Sequence, residues 1–123
     1  MYDDNSLLHP ALAGVIDFKV LSSCVADKAG QIDILQSFHA ENIHDIDTLN
    51  AALAQGDADA AAQTAHRMKG VSRMVGAHEL QGICYQIETA AKQRDLQAAK
   101  ESHSLLGDAM LRVERMIASL IIS

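Results

Sequence analysis

From Phe18 to Leu120 apolar residues recur at three- and four-residue spacing, the period of amphipathic helices rather than the alternation of strands. Asp17 precedes Phe18, Leu21 and Val25, which predicts a short first helix of about two turns capped by the aspartate. After Gly30 a first long helix is predicted. Ile32, Leu35, Phe38, Ile46, Leu49 and Leu53 form its stripe, with polar Asn42 where one repeat is missed. Gln55-Gly56-Asp57 ends it, since Gly56 can take the left-handed stop and Asp57 can cap the next helix. That second helix carries Ala61, Ala65, Met68, Ser72 and Val75 inward and ends at Gly76. A third presents Leu80, Ile83, Cys84, Ile87 and Ala91 until Gln93-Arg94-Asp95, where Asp95 caps a last helix with Leu106, Met110, Val113, Ile117 and Leu120 on its apolar face. Short loops between long amphipathic helices force antiparallel neighbours. The pattern therefore predicts an all-α fold: an up-down antiparallel four-helix bundle with a short extra N-terminal helix. One domain spans residues 17–121, and residues 1–16 form a linker or lead-in.

Composition strengthens the helical reading. Of 123 residues 49% are hydrophobic, and they are dominated by twenty alanines and thirteen leucines, with two Phe, two Tyr, no Trp and a single proline, Pro10. Gln55-x-Asp57-x-x-Ala60-Ala61 returns as Gln93-x-Asp95-x-x-Ala98-Ala99. Two copies of a turn and cap fall short of the three or so units that a helical repeat array needs.

Charge and cysteine content exclude further classes. Ten Lys+Arg against sixteen Asp+Glu give a net charge of −6, the wrong sign for a general nucleic-acid binder. No apolar run approaches a membrane span, so no direct membrane contact is expected, and Met1-Tyr2-Asp3-Asp4 lacks the basic start of a signal peptide. Cys24 and Cys84 read as small buried core residues in a reducing cytoplasm. Glu41-x-x-His44 has the spacing of a di-iron ligand pair, but no second Glu-x-x-His exists and no metal site is predicted. His9, His39, His44, His78 and His103 read as surface histidines.

The second long helix stands apart. Its outward stripe is Ala62, His66, Lys69, Gly70 and Arg73, so Lys69 and Gly70 flank the His66 ring at i+3 and i+4. A mid-helix glycine costs roughly 1 kcal/mol relative to alanine. Either Gly70 and Ala62 leave a bare patch around His66, or Gly70 marks a tight helix–helix contact. From Ala60 to His78 there is no acidic residue, while Arg67, Lys69 and Arg73 supply positive charge suited to a phosphoryl group or an acidic partner.

Ala65-His66-Arg67-Met68-Lys69-Gly70-Val71-Ser72, followed by Val75-Gly76-Ala77, Leu80, Cys84 and Ile87-Glu88, closely resembles the signature of histidine-containing phosphotransfer (HPt) domains. With Ala52-Leu53-Ala54-Gln55-Gly56-Asp57 ahead of it, the resemblance covers about residues 17–121, and it is nearest to the C-terminal HPt module of BvgS/EvgS-type hybrid sensor kinases. It implies a cytoplasmic phosphorelay carrier without an ATP site of its own. His66 would accept a phosphoryl group from a receiver-domain aspartate and pass it to a response-regulator aspartate. Lys69 would offset its charge, and Ala62, Arg67, Gly70 and Arg73 would meet the receiver, which would bring the Mg2+. Glu88 stands where the family often has Gln; it is expected to face His66, accept a hydrogen bond from Nδ1 and hold Nε2 outward, the alternative being a solvated glutamate with no such contact. A monomer is expected, as is usual for this type. Two alternatives remain: the dimerisation and phosphoacceptor domain of a histidine kinase, where an acidic residue rather than Arg67 typically follows the histidine, and a non-catalytic helical interaction module.

Overall fold

The computed structural model describes residues 14–122, and among them every regular element is helical. The helices are α1 (Phe18–Cys24), α2 (Lys28–Ala54), α3 (Ala58–Val75), α4 (His78–Lys92), α5 (Leu96–His103) and α6 (Leu106–Ile122). Helices α2, α3 and α4 run up, down and up; α5 and α6 together make the fourth arm, α5 against α4 and α6 against α2 and α4. The ring closes around one core, in which Leu21, Leu35, Leu49, Met68, Leu80, Ile87, Leu106 and Met116 are wholly buried. Helix α1 lies across α3 at the Gly76 end.

Aspartate caps set most helix starts. Asp17, Asp57 and Asp95 accept from the backbone N–H of Lys19, Ala60 and Ala98, as their positions predict. The repeated Gln-x-Asp segments are one turn used twice. After α2 the Asp57 N–H reaches back to the Ala52 carbonyl, and after α4 the Asp95 N–H reaches the Ala90 carbonyl, each past a left-handed residue. That residue is Gly56 at φ 72° in the first turn and Arg94 at φ 58° in the second. The α3–α4 turn repeats the geometry with Gly76 at φ 80°.

The structure departs from the sequence expectations in several places. Helix α2 begins at Lys28, ahead of Gly30, because Asp27 caps it by accepting from the Gly30 N–H. The last arm is not one helix: it breaks at Ser104-Leu105, where the Leu105 N–H turns to Ser102 and the Ser104 hydroxyl to Glu101. Asn42 does not leave the inward stripe of α2 but is buried with Asp45. Cys84 is in the core, whereas Cys24, at the last turn of the short α1, is exposed. His103 is half-buried with its Nε2 lacking a hydrogen-bond partner, and desolvation lowers its pKa. Val15 and Ile16, placed by the sequence in the lead-in, pack into the core. His9 lies outside the described residues.

Candidate functional site

The inward stripe of α3 (Ala61, Ala65, Met68, Ser72 and Val75) is buried, which turns His66, Gly70 and Arg73 outward and leaves Ala62 and Lys69 at the margin. The His66 side chain is 68% exposed. A Cβ added at Gly70 would meet nothing within 4 Å, so this glycine does not serve a tight helix contact. It leaves the surface one turn beyond His66 bare. Gly82 across the seam on α4 is equally open, and together with Gln81, Tyr85 and His78 it lines a shallow groove beside His66.

The antiparallel α3–α4 hairpin brings Glu88 to His66, as expected from the motif. Glu88 follows Ile87 on the inward side of α4 and is only 3% exposed. Its Oε2 lies 2.7 Å from His66 Nδ1 and accepts from Lys92 Nζ at 3.1 Å, while its Oε1 accepts from Lys69 Nζ at 2.6 Å. Burial pushes the Glu88 carboxyl up, but the hydrogen bonds from Lys69, Lys92 and His66 outweigh it and hold the pKa at about 2. An ionised carboxylate can only accept. Nδ1 must therefore carry the proton, and in a neutral ring Nε2 holds the lone pair on the solvent side. Lys69 also lies over the Tyr85 ring, 5.6 Å from its centroid.

The positive patch is weaker than its acid-free sequence implies, because acids arrive from neighbouring helices. Arg67 donates to the poorly exposed Asp45 of α2 at 2.5 Å, and Lys69 is tied to Glu88. Arg73 makes no ion pair with a described residue. Lys92, Tyr85, Gly82 and Asp45 escaped the sequence reading. Only Lys92 had a local signal, the i, i+4 Glu–Lys spacing from Glu88. Among the described residues no three His, Cys, Asp or Glu side chains are grouped to hold a metal ion, and no helix is long and apolar enough to cross a membrane.

A buried carboxylate under an exposed, proton-ordered imidazole is an arrangement that suits a nucleophile. The Hpt domain family model matches residues 33–120. The chain belongs to the Hpt domain family. A solved structure similar to this Hpt domain is the histidine-containing phosphotransfer protein B of Pseudomonas aeruginosa PAO1. It is 29% identical, with a TM-score of 0.77 over 86% of this chain and 93% of that one. No curated protein matches the chain. This Hpt domain is a phosphoryl carrier of a two-component phosphorelay, not a catalytic kinase, and Hpt domains interact with receiver domains.

Proposed function

We propose that His66 is the phosphoacceptor and that its Nε2 takes the phosphoryl group from an aspartyl phosphate on a receiver domain. The observation that carries this reading is the 2.7 Å contact between Nδ1 and buried Glu88, made by a ring otherwise open to solvent. In the transfer the Nε2 lone pair forms the N–P bond as the P–O bond breaks, and the receiver carboxylate leaves with the electron pair. The ring then gains positive charge while Nδ1 keeps its proton. Glu88 offsets that charge, which a neutral glutamine at this position could not do. Lys69, one turn from His66, is placed to neutralise phosphoryl oxygens. Return of the group to a second receiver aspartate reverses the same steps.

The receiver would approach over the bare patch of Ala62 and Gly70 and meet Arg67 and Arg73 at its edges. It would supply the Mg2+, and no step here runs through a metal on this chain. The domain would span residues 17–121, with Val15 and Ile16 of the lead-in packed into its core, and act in the cytoplasm as a monomer. The nearness of its motif to BvgS/EvgS-type hybrid kinases supports a place in such a chain. A receiver domain encoded in the same reading frame upstream of residue 1 would support that placement, and an in-frame stop codon there would overturn it.

The test of the central reading is His66→Gln with a receiver domain charged from radiolabelled acetyl phosphate. The wild-type chain should acquire acid-labile, base-stable label without ATP, and the variant should acquire none while keeping its helical circular dichroism. Label on the variant would remove His66 from the role.

A further inference from the structure

Lys92 pairs with Glu88 but has no part in the transfer proposed above. It sits in the last turn of α4, 65% exposed, with Nζ 3.1 Å from Glu88 Oε2. A surface ion pair of this kind ordinarily contributes little. This one, however, ends on a buried carboxylate that also receives His66 and Lys69.

Resting on the proposed role of His66, we infer that Lys92 is a positioning residue that holds the Glu88 charge when Lys69 turns to the phosphoryl group. Lys69 has two calls on a single ammonium. At rest it donates to Glu88 Oε1 at 2.6 Å, a short charge-assisted bond. A phosphoryl group on Nε2 adds about two negative charges one helical turn away. If Lys69 answers them, Glu88 loses its closest cation. Glu88 would then keep only the ring N–H, whose added positive charge the phosphoryl oxygens already answer. A buried carboxylate so placed is disfavoured, so without a second cation Glu88 would hold Lys69 back. Lys92 supplies that cation from the same helix as Glu88, at the favourable i, i+4 spacing, and it reaches the oxygen that Lys69 does not use. Lys69 is thereby free to move while Glu88 stays ionised and keeps its bond to Nδ1.

The test measures transfer from the labelled receiver to wild type, Lys92→Gln and Lys92→Arg over a range of receiver concentrations, each also in a Glu88→Gln background. In Lys92→Gln the rate at saturating receiver should fall roughly three- to fivefold, the scale of one partly exposed ion pair, with the half-saturating concentration unchanged. Arginine should restore most of the rate. In the Glu88→Gln background Lys92→Gln should add no further loss, because no carboxylate remains to be held. An unchanged saturating rate in Lys92→Gln overturns the inference. So does a change confined to half-saturation, or a loss that persists without Glu88, since either makes Lys92 a steering charge for the receiver. These outcomes leave the His66 assignment standing; label on His66→Gln would remove both.

Discussion

Replacing Glu88 by Gln keeps the shape of the side chain and removes its charge, which isolates what the carboxylate contributes. The fall from the ordinary 4.5 to about 2 is worth about 3 kcal/mol in favour of the ionised folded form. His66 and Lys92 are both more than half exposed, so solvent screening brings this to about 2 kcal/mol. The amide does not recover it. Its single oxygen can face Lys69 or His66 Nδ1 but not both, and its NH2 then points at a donor. Either Lys69 lets go, or the ring flips its tautomer and carries the proton on Nε2. At pH 7 the variant should lose about 2 kcal/mol of stability, a fall of roughly 6–10 °C in Tm for a domain this size. The pH dependence has a definite sign. A depressed folded-state pKa gives stabilisation that is complete above 4.5 and lost as pH falls through about 2. The gap between wild type and variant should thus be flat from pH 6 to 8 and close by about pH 2. Urea unfolding followed by circular dichroism at several pH values measures it, and 15N shifts of the His66 ring report the tautomer. A variant within about 0.5 kcal/mol of wild type at pH 7, or a gap undiminished near pH 2, would refute the reasoning.

Gly70→Ala should stabilise the domain by up to about 1 kcal/mol, since the added methyl meets open space. Gly70→Gln should keep the fold yet slow receiver transfer, and equal transfer rates in both variants would show that the bare patch is not used for docking. Arg94→Gly should raise stability by up to about 1 kcal/mol by relieving a left-handed non-glycine. Its lost pair with Asp59 is exposed on both sides and offsets little of that gain; a lower Tm would contradict this. Gly76→Ala should cost about 2–4 kcal/mol by thermal or urea unfolding, because φ 80° is unfavourable for alanine and its Cβ would lie 2.5 Å from the Asp17 carbonyl oxygen. A cost under about 1 kcal/mol would mean the turn and α1 yield easily.

The helices were legible because two local signals coincided at their boundaries. An apolar stripe ended where a glycine or Gln-Arg-Asp turn stood, and Asp17, Asp57 and Asp95 each began a new stripe. Where only one signal was present the reading slipped. Asp27 caps α2 although Gly30 lies inside its first turn, and the last arm breaks within a Ser-His-Ser stretch whose apolar spacing gives no warning. The site divides along the same line. His66, Lys69 and Gly70 share one helix, so 3.6-residue geometry alone groups them. Glu88 required the motif, because its contact is set across two helices. Asp45 and Tyr85 come from neighbouring helices as well, and nothing in their local sequence distinguishes them from solvated residues. Asn42 and Ser72 are the plainest limit: both are buried on inward stripes with a polar atom lacking a protein partner, an arrangement no spacing rule foretells.

The α3–α4 turn connects the fold to the chemistry. Each residue of slip in α4 would advance Glu88 by 1.5 Å and rotate it by about 100°, and a 2.7 Å contact with Nδ1 survives neither. Register between His66 and Glu88 must therefore be set where the two helices join. Gly76 provides this: its left-handed φ lets the Ala77 N–H close on the Ser72 carbonyl, so α4 starts at one defined angle. Helix α1 then fastens the corner, with the Asp17 N–H on the Gly76 carbonyl at 2.8 Å and the Asp17 carboxylate on His78 Nε2 at 3.0 Å. Ten residues and nearly three helical turns separate this corner from His66 on α3, as they do from Glu88 on α4. The short N-terminal helix, remote from His66, thus bears on the His66–Glu88 contact through the one turn both helices share.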